Sequence, residues 1–69
     1  MIHEHDAVAL IVDRPKDNLR RGDVGAVVHI YKGGETFEVE FFDERGRTKC
    51  VSTVQASELM RLNVLPLSA

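Results

Sequence analysis

The stretch Thr36–Phe42 constrains this chain more than any other. Phe37, Val39 and Phe41 alternate with Thr36, Glu38, Glu40 and Phe42, the period of two that marks a strand with one buried face. Such a strand needs partners, because an isolated hairpin is barely stable in water. A chain of 69 residues has room for one domain. At that length folding removes about 60% of the surface the unfolded chain exposes. Every apolar residue that can reach a core is therefore needed there.

The rest of the chain supplies partner strands, with turn residues between them. Ala7–Val12 is almost continuously apolar and reads as a strand ended by Asp13-Arg14-Pro15. Residues 14–22 read as a polar loop, with Leu19 tucked beneath it. Gly22-Asp23-Val24-Gly25 opens a bent strand through Ala26–Tyr31, with His29 on the Gly25/Val27 side. Lys32-Gly33-Gly34-Glu35 and Asp43–Arg47, with Gly46, read as hairpin turns. Thr48–Val54 is a strand of mixed polarity whose inward face the pattern leaves open. Gln55–Leu59 suits a single 3₁₀ turn. Met60–Val64 alternates as a last strand, and residues 1–5 and 65–69 read as flexible tails around a core of 6–64. This order predicts an all-β domain, a small SH3-like five-stranded antiparallel barrel in which a sheet curls on itself to hide its edges.

Asp6-x-Val8-x-Leu10, Asp13-x-Pro15 and Leu19-x-x-Gly22-Asp23-x-Gly25-x-Val27-Val28 recur in a characteristic order with Tyr31, Phe37–Phe41, Gly46-Arg47-Thr48 and Ala56-Ser57-x-Leu59. In these the chain resembles the bacterial family domain of unknown function 4926, over roughly residues 6 to 62. The resemblance implies a short bacterial protein, often encoded beside other small genes, and an antitoxin-like or immunity-like partner role. It brings no catalytic residues. Gly22-Asp23-Val24-Gly25-Ala26-Val27-Val28 is also similar to the KOW element, a barrel bend that can touch RNA or protein.

Charge and composition narrow the function classes. A net charge of −2 gives no strong pull toward nucleic acid or anionic lipid. No apolar run approaches the roughly 18 residues of a membrane span. The acidic start Met-Ile-His-Glu-His-Asp lacks the features of a signal peptide. One cysteine suits a reducing compartment, so a cytoplasmic location is expected.

Several residues invite chemistry. His3 and His5, with a carboxylate of Glu4 or Asp6 nearby, could hold a metal, but a tight site needs a further ligand, and His29 is the one other histidine. Cys50 has no activating neighbour on its own strand face. Glu38 and Glu40 stand among five acids in residues 35–44, on an outer face that keeps them solvated, where acid–base work would need a pocket that desolvates one of them. The expectation is therefore no enzyme, no metal and no cofactor. Charge zoning is the more usable signal. Arg14, Lys16, Arg20 and Arg21 make the first loop basic, Arg45, Arg47 and Lys49 form a second basic group, and an acidic stripe lies between. Phe42 shares its strand face with Glu38 and Glu40 as an anchor. Arg14, Lys16, Arg20, Arg21, Tyr31 and Phe42 are accordingly the candidate contacts of a non-enzymatic protein-binding module, with a hetero-partner or a second copy bound. The alternative is a KOW-like module binding RNA or ribonucleoprotein through the same loops.

Overall fold

The computed structural model describes residues 1–63. Five strands, β1 (Ala7–Leu10), β2 (Val24–Ile30), β3 (Thr36–Phe42), β4 (Thr48–Gln55) and β5 (Leu59–Arg61), form one antiparallel sheet in the order β4-β3-β2-β1-β5. The all-β class is as expected. The ladder ends at β4 and β5, and among the described residues no pairing joins those two edges into a closed barrel. No helix in the described residues is long and apolar enough to cross a membrane.

β3 carries the alternation through the centre of the molecule. Phe37, Val39 and Phe41 are buried and meet Val8, Leu10, Leu19, Val27, Val54 and Leu59 in one cluster. On β4 the inward residues oppose them as Val54 beside Phe37, Ser52 beside Val39 and Cys50 beside Phe41. The face that polarity left undecided is thus settled by volume, small side chains lying opposite large ones. Leu19 reaches the same core from the first loop.

Both hairpin turns form where glycine marks them. Gly33 and Gly34 have φ of 99° and 73°, and Gly46 has φ of 80°, conformations that glycine adopts without penalty. Asp43 closes the second turn by accepting the backbone N–H groups of Arg45 and Arg47 on Oδ1, at 2.9 Å each. Gly25 answers a different need. A Cβ there would lie 2.5 Å from the Glu40 carbonyl oxygen and 2.8 Å from Val39 Cγ1.

Four expectations change. The first strand stops at Leu10 instead of Val12: Ile11 still gives its N–H to the Glu58 carbonyl at 2.9 Å, but its partner there is the 3₁₀ turn Ala56–Glu58 and no longer a strand. The last strand is Leu59–Arg61, not Met60–Val64: Leu59 turns inward opposite Leu10, and Leu62 lies just past the strand, giving its N–H to Ala7 O at 2.8 Å. Residues 64–69 lie outside the described part. A second 3₁₀ turn, Pro15–Asp17, sits in the first loop in addition to Ala56–Glu58. Finally, β2 and β3 slip register between Val27 and His29. Val28 is the extra residue of a bulge, so His29 moves to the outer face opposite Glu38.

The first five residues, expected as a flexible tail, carry defined contacts. Ile2 packs against the core, His5 N–H donates to Val27 O at 2.7 Å, and His3 N–H donates to Asp6 Oδ2 at 2.7 Å.

Candidate interaction surface

The outward side of the sheet follows from the register. Ala9 pairs with Met60 on one side and Val24 on the other. Continuing the Gly25–Phe41 register by one residue sets Val24 beside Phe42. The next row outward-facing along the strands runs Ala7, Ala26, Glu40, Val51. Met60 and Val51 are each 52% exposed and Val24 42%, while Phe42 is half-buried. Ala9 is buried yet stands outside the core cluster, as a small residue on an outer face flanked by larger ones should. Met60, Ala9, Val24 and Phe42 thus form one apolar row across four strands, with Ala7 and Ala26 beside it and Val51 beyond Glu40.

The charges that β3 presents on this face are the carboxylates of Glu38 and Glu40. Glu38 Oε1 accepts the Thr53 hydroxyl at 2.6 Å, and Glu40 accepts the Thr48 hydroxyl. Among the described residues neither glutamate forms an ion pair with a lysine or arginine. The acidic stripe expected from the pattern is therefore present, and it borders the apolar tract.

The six candidate contacts do not share one surface. Arg14 is turned inward as a clamp. Its Nε donates to Asp17 Oδ2 at 2.9 Å, Nη1 to Glu58 Oε1 at 2.9 Å and Nη2 to the Thr53 carbonyl at 3.1 Å. Arg14 holds Asp17 below the usual carboxylate range, helped by Ser52, and the Asp17 bond in turn raises the guanidinium. Glu58 also caps the second 3₁₀ turn by accepting Gln55 N–H at 3.0 Å. Lys16 stands exposed on the first 3₁₀ turn. Arg20 lines a depression with Asp23, Phe42, Asp43, Glu44 and Lys49, so the first loop and the second hairpin meet there. Asp23 is lowered first by the Arg20 N–H, then by Lys49, whose Nζ lies at 3.2 Å. Arg21 lends its backbone N–H to Asp13 at 2.8 Å. Tyr31 sits just beyond β2, edge-on to His29 with ring centroids 4.7 Å apart.

Arg14→Met is expected to lower stability by about 2 kcal/mol, because it strips the counterion from two carboxylates and a donor from a carbonyl. Denaturant unfolding reads this directly. A change below about 0.5 kcal/mol would return Arg14 to the list of surface contacts.

Among the described residues, His3, His5 and His29 do not gather with a carboxylate as a set of metal ligands. Asp6 is lowered first by the His3 N–H and also by Arg61, whose Nε lies at 3.0 Å. A cleft of about 550 Å³ opens at the β2–β3 turn, floored by Ile2, Ile30, Phe37 and Ala56, with His3 and Glu35 at its rim. Sequence reasoning found Phe42 and the acidic stripe but missed Ala7, Ala9, Val24, Val51 and Met60. The signal was Ala7-x-Ala9 in phase opposite to Val8-x-Leu10.

These elements define a small all-β domain built on one open antiparallel sheet. Within that class, the chain belongs to the family described as Domain of unknown function (DUF4926), whose model matches residues 4–61. No curated protein and no solved structure matches the chain.

Proposed function

We propose that this domain is a non-enzymatic protein-binding module that receives its partner on the outward face of the sheet. The supporting observation is the row Met60, Ala9, Val24, Phe42, lying beside Ala7, Ala26 and Val51. Met60, Val24 and Val51 leave apolar side chains exposed on that one face, and clustered exposed apolar residues on a small domain mark an interaction site. The fold is read in its finer form as an SH3-like barrel, on the grounds that one short sheet curls enough to gather residues of all five strands into a single core. The RNA reading draws on Arg20 and Lys49 beside Phe42, but Asp23, Asp43 and Glu44 share that depression and Lys49 is committed to Asp23.

Selection of binders from an unbiased displayed peptide library tests the reading. Val24→Asp and Met60→Asp alter exposed side chains and should leave the fold intact, as circular dichroism can verify. Selected peptides are expected to lose at least about tenfold in affinity on either variant and to keep it on Lys16→Ala and Arg20→Ala. Peptides indifferent to both aspartates, or RNA binding that falls steeply with added salt, would overturn it.

A further inference from the structure

We infer that Arg14 guards the free edge of β4: together with Glu58 it occupies the backbone groups on which a second copy of this chain would otherwise pair its own β4. The sheet leaves β4 as an edge strand of eight residues, and an uncovered edge of that kind templates an added strand.

The register says which groups β4 turns outward. Tyr31 N–H donates to Thr36 O, so by alternation Thr36, Glu38 and Glu40 address β2 while Phe37, Val39 and Phe41 address β4. Their partners Val54, Ser52 and Cys50 use their backbone groups in that ladder. Val51, Thr53 and Gln55 therefore point theirs away from the sheet.

Two of these outward residues are capped by side chains. Arg14 Nη2 donates to the Thr53 carbonyl at 3.1 Å, and Glu58 Oε1 accepts the Gln55 N–H at 3.0 Å. The caps are bonded to each other, because Arg14 Nη1 donates to the same Glu58 oxygen at 2.9 Å. An ion pair with Asp17 and Glu58 would be complete without the carbonyl, so it is the third arm of the guanidinium that reaches the edge. Arg14 thereby ties the first loop to a strand edge that backbone pairing leaves open among the described residues.

The remainder of the edge is short. The next outward residue is Val51, and past it the slip between Phe41 and Phe42 leaves Lys49 as the extra residue of a bulge. A bulge twists an edge out of line for pairing, and Lys49 is held there by Asp23, with Nζ at 3.2 Å. Two β4 strands running antiparallel about Val51 would set Cys50 opposite Ser52, so no like charges meet. Val51 would exchange both its hydrogen bonds with its copy. The next bonded position along the strand is Thr53, whose carbonyl Arg14 already holds.

Sedimentation of Arg14 variants tests this. Arg14→Met removes the fork outright. Arg14→Lys keeps a cation near Asp17 and Glu58 at less cost to the fold, but a single ammonium cannot span acceptors spread around a planar guanidinium. With folding verified by circular dichroism, both are expected to dimerise at least about tenfold more tightly than the wild type. Amide exchange at Val51 and Thr53 should slow as their concentration rises. Adding Val51→Pro, at an edge position that tolerates proline, should return Arg14→Lys to wild-type behaviour. A folded Arg14→Lys that associates no more than the wild type overturns the inference. Association that Val51→Pro leaves unchanged overturns it as well, and so does a wild type that already dimerises through β4.

Discussion

Replacing Phe41 by alanine is expected to cost about 3–5 kcal/mol, most of the roughly 4–10 kcal/mol that a domain of this length can hold. Phe41 is fully buried, and its neighbours across the ladder are Gly25 and Cys50. Neither can move a side chain into the vacated space, because one has none and the other is short. Collapse would need the backbone of three strands to close in, and β2 already approaches β3 closely at Gly25. The cavity therefore persists, and its cost adds to the lost transfer energy. Phe41→Leu keeps much of the volume and should lose about 1–2 kcal/mol. Urea unfolding of the two variants gives the comparison. A loss below about 1 kcal/mol for alanine would show that the core is not gathered around this ring.

Gly25→Ala should cost about 2–3 kcal/mol through overpacking, an unusual penalty for one methyl group. The added carbon would meet the carbonyl oxygen of Glu40 at 2.5 Å. That oxygen belongs to the backbone of the neighbouring strand, so no rotamer change relieves the contact. Gly25 is also central, paired with Val8 on β1 and Phe41 on β3, and pushing the strands apart weakens both ladders. Gly22 provides the control. It has φ of 95° and open space around it, so Gly22→Ala carries conformational strain alone, about 1 kcal/mol. Thermal unfolding should rank Gly25→Ala well below Gly22→Ala. The reverse order would mean that strand bending and not close approach explains the glycine.

The parts of the structure legible in advance were those written by local rules. β3 could be read from its alternation, and the two hairpins from glycines whose positive φ the turns require. What stayed hidden depended on pairing between distant residues. Val27 and Val28 are both apolar, and no local pattern says which of them leaves the ladder, so simple alternation puts His29 on the inner face and the bulge puts it on the outer one. The inward side of β4 carries Cys50 and Ser52 because Phe41 and Val39 opposite leave little room, a volume argument that needs the register first. In the interaction surface, Phe42 and the two glutamates were visible on their own strand. Ala7 and Ala9 were not, because Ala7–Val12 reads as one apolar run. Arg14 looked like part of a basic loop, and its bond to Glu58 crosses most of the chain.

The pairing of β1 with β5 has a kinetic consequence. β2, β3 and β4 are joined by two short turns and can assemble as a local meander, whereas β1 and β5 come from opposite ends of the chain. Contacts of such sequence separation form late, after loop-closure entropy has been overcome. Met60, paired with Ala9, is then the last piece to arrive and the first to peel away. A ligand that grips Met60 should slow the opening of the whole domain, while one held by β3 alone should leave its unfolding rate nearly untouched.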